Sequence, residues 1–343
     1  MTASTVLITG ATGHLGFRVL VLALEAGYNA RVAVRNQSGA NKVLAAPSIK
    51  RLNNGSNITF VTVPDILADG AYNEAVQGVE YIIHCASPIT NGVTDHYEEK
   101  LIGPAVKGTT SILHAAYTSP EVKRIVITSS IVATVPLSVF VDPTDEVFDG
   151  QKKMPPHTGP YANEPQAYQD SKVRALAATH EFVAEKKPGF DVINVMPSFI
   201  IGKNELATNT TDFFHGTNKV VLSPVLGIKA DMPRPGTIVY LSDVARIHVD
   251  ALKPEIAGNQ DFPASSGGLE GVTLDDALDI VAKYFPKEVA AGVLPNNGST
   301  RTLQVAIDAS KTEKTFGLKF AGLEKQVLEI AEHYIELASK AAN

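Results

Sequence analysis

The sequence predicts an α/β fold, a doubly wound parallel sheet with a smaller C-terminal lobe. Three observations carry that expectation. The apolar run Val6-Leu7-Ile8-Thr9 feeds straight into a turn with glycines at positions 10, 13 and 16, and then into a helix. Strand and helix signals alternate as far as Met196-Pro197, a pattern that calls for parallel strands covered on both faces. Beyond that point, residues 203–237 are rich in Asn, Thr, Gly and Pro with little periodicity, so they read as loops and short elements of a second lobe. The expected division is 1–196 for the sheet domain, with a strand and helix returning to it from about 236–250, and 197–343 mainly for the lobe.

Taken in order, the first helix runs from about 15 to 26 and stops at Gly27, a good C-terminal cap. Short apolar, β-branched runs then mark strands at 30–34, 58–63 and 81–84. A helix over about 101–116 is supported by Leu101, Ala105, Ile112, Leu113 and Ala116, with Pro120 beyond its end. A strand at 124–128 follows. The next helix spans about 168–186, stopped by Pro188-Gly189, and leads into a strand at 191–195. In the lobe, Thr273 has the chemistry to cap a helix through Leu274, Ala277, Leu278, Ile280 and Val281, and 323–338 forms a last amphipathic helix.

Composition sets outer limits. The chain of 343 residues is 44% hydrophobic and carries a formal charge of -6, with pI near 5.9. That balance, with no dense Lys/Arg run, argues against a nucleic-acid partner. No apolar run approaches the ~18 residues that span a bilayer, and Met1-Thr2-Ala3-Ser4 does not begin a signal peptide. The single cysteine, Cys85, allows no internal disulfide, so a cytoplasmic location is expected.

The glycine turn is built to hold a pyrophosphate. Gly10 permits the tight exit from the strand, Gly13 lets backbone approach the phosphates, and Gly16 lets helix and sheet pack closely. The helix behind them presents free N–H groups and its positive dipole end. Thr9, Thr12, His14 and Leu15 complete this candidate cofactor turn, His14 through its backbone more than its side chain. At the end of the second strand, where a carboxylate would accept from a free ribose 2'-hydroxyl, the chain has Arg35 with no acid beside it, and Lys42 follows. Both suit a 2'-phosphate, so NADP(H) is favoured over NAD(H). Asp65-Ile66 follows the third strand and is positioned to meet the adenine; a lone Asp there also serves as an ordinary turn cap.

The candidate chemistry lies in Tyr168-Gln169-Asp170-Ser171-Lys172. Tyr and Lys four residues apart share one helical face. A phenol ionises near pH ~10, and a neighbouring cation favours the phenolate. Such a phenol can give its proton to a carbonyl oxygen as hydride reaches the carbon. A serine of Thr128-Ser129-Ser130, after the fifth strand, can hydrogen-bond the same oxygen. The Tyr/Lys spacing alone is common on helix surfaces; the order of glycine turn, strand-ending serine pair and Tyr-x-x-x-Lys helix is far more specific.

With these residues in place, the chain resembles the extended short-chain dehydrogenase/reductases, a Rossmann-type family, over essentially its whole length. Within them it is similar to the dihydroflavonol reductase-like branch, especially the fungal NADPH-dependent carbonyl, methylglyoxal and aldehyde reductases. The resemblance is carried by Thr9 to Gly16, Val34-Arg35, His84-Cys85-Ala86-Ser87-Pro88, Pro104 to Thr109, Val126 to Ser130, Tyr168 to Lys172, Pro197 to Gly202 and Leu241 to Val249. It implies Ser130 as catalytic serine, with Ser129 the neighbour that spacing does not exclude, Tyr168 as general acid, and Lys172 as the lysine that favours the phenolate and binds the ribose. It also implies Thr128, Ala86 and Ser87 beside NADPH/NADP+, and Pro197 and Ile200 along the nicotinamide.

The chain departs from the family at three points. Ala105 stands where many extended members carry an Asn that completes a tetrad. Val135 stands where the flavonoid reductases have a substrate-binding Asn, which disfavours a polyphenol. Segment 203–237 offers only scattered Lys203, Lys219, Lys229 and Arg234 for a second pyrophosphate, which disfavours a nucleotide-sugar epimerase or dehydratase. The expected pocket is apolar, lined by Pro88, Val132, Val135, Phe199, Phe213, Phe214 and Val225, although apolar residues of a lobe equally serve as its core. The expectation is an NADPH-dependent carbonyl reductase for a small-molecule aldehyde or ketone, monomeric or homodimeric, with no metal. The rivals are the epimerase/dehydratase and a non-catalytic NADP(H) sensor. His84, Cys85, Asp243 and His248 read as structural residues.

Overall fold

The computed structural model of the chain describes residues 3–52, 57–87, 92–142 and 144–341. β1 (Thr5–Thr9) runs into α1 (His14–Glu25). Then come β2 (Asn29–Val34), α2 (Gln37–Ala45), α3 (Pro47–Leu52), β3 (Ile58–Thr62), β4 (Tyr81–His84), α4 (Gly103–Tyr117) and β5 (Arg124–Thr128). β6 (Val147–Phe148), α5 (Glu164–Lys186), β7 (Asp191–Pro197), β8 (Phe199–Ile201), α6 (Lys219–Val225), β9 (Arg234–Pro235), β10 (Ile238–Tyr240) and α7 (Leu241–Asp250) follow. The chain finishes with β11 (Gln260–Ala264), α8 (Asp276–Tyr284), α9 (Pro286–Ala290), β12 (Thr302–Leu303), β13 (Ala306–Ile307), α10 (Ser310–Phe316) and α11 (Leu323–Ala341). No helix among the described residues is long and apolar enough to cross a membrane.

The main sheet has the order β11-β7-β5-β4-β1-β2-β3, and the pairings from β3 through to β7 are parallel. Ile8 of β1 faces Val32 on one side and Ile83 on the other. Strands so placed are covered on both faces, which explains why Val6, Leu7, Ile8, Ile82, Ile83 and Val126 have no exposed surface. The strand order reverses between β1 and β4, and ligands of open α/β sheets bind at such a reversal, beyond the carboxyl ends of the strands.

The chain divides into two compact units, Met1–Leu137 with Gly150–Met196 and Ala245–Phe262, and Ser138–Asp149 with Pro197–Val244 and Pro263–Asn343. The segment that returns to the first unit is later than the 236–250 expected, because β10 pairs with β8 inside the second unit, Val239 opposite Ile200. Segment 138–149 joins the second unit through the pairing of β6 with β13. In that unit, α6, α8 and α11 enclose a core that includes Val221, Leu222, Leu274, Val281 and Ile330.

Two helix starts differ from the sequence reading. α5 begins before Tyr168: Asn163 Oδ1 accepts from Gln166 N at 3.1 Å, and Gln166 Oε1 accepts from Ala162 N at 2.7 Å. That reciprocal cap, with Pro165 in the first turn, starts the helix at Glu164. Thr273 does not cap α8 with its side chain; its carbonyl closes a turn with Asp276 N, and the helix starts after Asp275.

Candidate active site

At the strand-order reversal, Gly10 leaves β1 with φ +76°, a conformation that L side chains rarely adopt. A Cβ built there would lie 2.8 Å from both Ala86 N and the Cys85 carbonyl carbon, beyond β4. The turn closes with Gly13 N donating to Gly10 O at 2.9 Å. Gly13 is the N-cap residue of α1, which has no side-chain cap bond and no acid in its first turn. At Gly16 a Cβ would meet Gly10 O at 2.3 Å. Backbone amides and a helix N-terminus brought this close to a second strand end fit the pyrophosphate of a dinucleotide. Leu15 packs into the core, 8% exposed, while Thr12 is exposed and His14 half-buried.

The turn after β2 approaches the same loop: a Cβ at Gly39 would stand 3.2 Å from Thr12 Cγ2. Asn36 caps α2 by accepting from Gly39 N at 3.1 Å, and Arg35, one residue earlier, is exposed. Lys42 is exposed in the last turn of α2. After β3, Asp65 Oδ1 accepts from Leu67 N at 2.8 Å, the turn-capping use of a lone Asp. Ile66 packs against the core beside the sheet.

A buried network missed by sequence reasoning ties the two strand ends together. Ala86 N donates to Thr9 Oγ1 at 3.1 Å, and Thr9 Oγ1 lies 2.9 Å from His84 Nδ1. The Thr9 hydroxyl thus bridges the Ala86 amide and the His84 ring. His84 is 2% exposed and meets the Tyr72 ring edge-on at 5.9 Å. Burial first, and then the charge of Lys172, bring its pKa down to about 4. A His buried neutral adds stability that is complete above its unfolded pKa of about 6.5 and is lost as pH falls toward the folded value. Denaturant unfolding between pH 6.5 and about 4 is therefore expected to show falling stability, less steeply in His84→Asn. An identical pH dependence in that variant would remove His84 as a source.

Beyond β5 the chain carries the serine pair. Ser129 N donates to Val195 O at 2.8 Å, prolonging the ladder to β7. Ser130 follows as the N-cap residue of a 3₁₀ turn, Ile131–Ala133, and its side chain makes no cap bond. Thr128 turns its hydroxyl inward, donating to Cys85 Sγ at 3.3 Å and lying 2.8 Å from His248 Nε2. Burial pushes the Cys85 thiol up to about 12, which leaves too little thiolate for a nucleophile.

α5 presents Tyr168 and Lys172 one turn apart. Lys172, 8% exposed, donates from Nζ to Ser87 Oγ at 2.9 Å and stands 5.5 Å from the centre of the Tyr168 ring. Tyr168 packs against Leu101, Ile102 and Ala167. Ala105, the position of the missing tetrad Asn, is buried in α4. The helix also grips the 3₁₀ turn after Ser130, through Gln169 Nε2 to the carbonyls of Val132 and Val135 and through Leu176 against Ala133. Asp170, 2% exposed, accepts from His157 N at 2.6 Å and from Tyr161 OH at 2.6 Å, and forms an ion pair with Arg174, Nε lying 2.7 Å from Oδ2. The signal for that last pair was in the sequence, an acid and a base at i,i+4 in the helix.

The apolar candidates separate. Val132 is half-buried beside the serine turn, whereas Val135 has no exposed surface. Pro88 lies outside the described residues. In the second unit, Phe213 and Val225 belong to the core, with Phe213 5.3 Å from the His333 ring and 5.6 Å from that of Tyr334. Three helices converge there and need large side chains to fill the space between them. Phe199 packs partly against that core, and Phe214 is 37% exposed. Pro197 ends β7 and Ile200 lies within β8.

Comparison with known proteins places this geometry in a family. Ketoreductase CTB6 of Cercospora nicotianae is 38% identical over 349 residues, covering 99% of this chain and 97% of that protein. Two solved structures share the fold: yeast methylglyoxal/isovaleraldehyde reductase Gre2 complexed with NADPH (TM-score 0.81, 24% identity, 98% of this chain and 99% of the other) and Gre2 of Candida albicans in complex with NADPH (TM-score 0.80, 25% identity, 97% and 99%). The model of the NAD dependent epimerase/dehydratase family matches residues 6–262. With three quarters of the chain matched and the glycine turn, serine turn and Tyr/Lys helix assembled on one sheet, the chain belongs to that family.

Proposed function

We propose that this protein is an NADPH-dependent carbonyl reductase that converts an aldehyde or ketone into the corresponding alcohol. The observation that carries the reading is Lys172, held nearly buried with its ammonium on Ser87 and beside the Tyr168 ring. A cation kept there has a chemical use if the phenol gives up a proton during turnover. The names of the ketoreductase relative and of the NADPH-bound reductases support the same class.

When bound, NADPH supplies hydride to the carbonyl carbon. Tyr168 donates its phenolic proton to the carbonyl oxygen, completing the alcohol. Ser130 donates a hydrogen bond to that oxygen as negative charge develops on it. Lys172 stabilises the phenolate left on Tyr168 and orients the ribose; the glycine turn with Thr9, Thr12, His14 and Leu15 holds the pyrophosphate, flanked by Thr128, Ala86 and Ser87. Arg35, assisted by Lys42, would bind the 2'-phosphate, and Asp65 and Ile66 would border the adenine. Val132 belongs to the substrate's surroundings. The site takes small or aryl carbonyls rather than polyphenols.

The test is oxidation of NADPH and NADH, followed by loss of reduced-nicotinamide absorbance, against methylglyoxal, branched aldehydes, aryl ketones, β-keto esters, a dihydroflavonol and a nucleotide sugar. NADPH-specific turnover on small or aryl carbonyls is the expected result. Silence across the carbonyls with tight cofactor binding would overturn the proposal in favour of an epimerase or a cofactor sensor. Arg35→Ala is expected to raise the Kd for NADPH roughly tenfold or more, from the loss of a charged hydrogen bond worth about 1.5–3 kcal/mol, while NADH binding changes little. Equal losses for both cofactors would remove Arg35 from the 2'-phosphate.

A further inference from the structure

We propose that Gln169 is a positioning residue for the reaction, clamping the turn after Ser130 to the helix that carries Tyr168 and Lys172. Its importance for turnover rests on the reductase reading; the clamp itself stands on geometry alone.

Ser130 has extended backbone, φ -157° and ψ 151°, and leads into the 3₁₀ turn Ile131–Ala133. Within the turn, Ala133 N donates to Ser130 O, and both Thr134 N and Val135 N donate to Ile131 O. The next carbonyls are taken by a side chain: Gln169 Nε2 donates to Val132 O at 3.2 Å and to Val135 O at 2.7 Å. An amide NH₂ has two protons, so one side chain serves both acceptors. The two carbonyls also assign its orientation, because the amide oxygen would repel them. Val135 has no exposed surface, so its carbonyl depends on a protein donor rather than bulk water.

Gln169 follows Tyr168 directly. With Val173 and Leu176 it forms the stripe of α5 next to the Tyr168/Lys172 stripe, and Leu176 packs on Ala133 of the same turn. One side chain therefore spans from the helix holding the proton donor to the turn that sets the direction of Ser130. Two groups that must converge on a single oxygen tolerate little displacement, and an error of about 1 Å costs roughly 100-fold in rate. Asn in place of Gln would fall a bond short, and Glu would set an acceptor against two acceptors.

The experiment compares the full-length protein with Gln169→Leu, Gln169→Glu and Gln169→Lys, the last of which retains a donor. Hydrogen exchange by mass spectrometry is expected to rise roughly tenfold or more over residues 131–136 in the Leu and Glu variants. NADPH affinity should stay within about twofold, kcat should fall roughly 10- to 100-fold with Tm little changed, and the Lys variant should recover part of the loss. Unchanged exchange over 131–136 in both variants overturns the clamp. Raised exchange with kcat retained overturns positioning. A wild-type protein that reduces no carbonyl while the variants still loosen 131–136 overturns the reductase reading and supports the clamp.

Discussion

Tyr168→Phe is expected to lower kcat for carbonyl reduction by roughly 100- to 10,000-fold, the contribution of a positioned general acid. The substitution removes one oxygen and leaves the ring against Leu101, Ile102 and Ala167. The helix keeps its cap at Asn163 and its ion pair between Asp170 and Arg174. NADPH affinity and Tm should therefore stay close to wild type. Steady-state rates paired with fluorescence titration of NADPH separate the two quantities. Retained turnover would show that another group supplies the proton; lost cofactor binding would mean that the phenol acts chiefly in binding.

Gly16→Ala is expected to disable cofactor binding by geometry instead of chemistry. The added Cβ would stand 2.3 Å from Gly10 O and 2.6 Å from the Gly10 carbonyl carbon, both backbone atoms. No rotamer relieves such a clash, so α1 or the turn must shift. Overpacking of this kind costs about 1–3 kcal/mol. The same shift spoils the amide cradle, so NADPH affinity should fall more than tenfold, the equivalent of over about 1.4 kcal/mol. Denaturant unfolding and NADPH titration check the two effects separately. A variant with wild-type stability and affinity would mean that the helix and turn yield easily.

The sheet was legible because its strands are short runs with apolar centres, so local pattern and buried position coincide at Val6 to Ile8 and Ile82-Ile83. The order of glycine turn, serine pair and Tyr/Lys helix was legible for the same reason: each is a local motif at the end of a predictable element. β6 and β13 were not legible. Two residues pair with two residues more than a hundred positions away, and no local periodicity encodes such a partner. Phe213 and Val225 were ambiguous because hydrophobicity says that a side chain avoids water, not whether its neighbours are ligand or core. The Thr9, His84 and Ala86 network and the Gln169 clamp escaped because polar residues gain their meaning from the atoms folded against them. Asp65 was legible as a turn cap, and the structure shows that bond.

The consecutive anchors on α5 also determine when the cost of order is met. Gln169 holds the serine turn, Asp170 collects two donors and an ion pair, Ser171 donates back to Tyr168 O at 2.7 Å, and Lys172 is bound to Ser87. Freezing side chains like these consumes conformational entropy, up to about 2 kcal/mol for the longest of them. Here that loss accompanies folding, so little of it is left for the encounter with a ligand. An incoming small molecule meets a stiff wall in which disorder has already been spent, and its binding enthalpy need not be diverted into organising the helix.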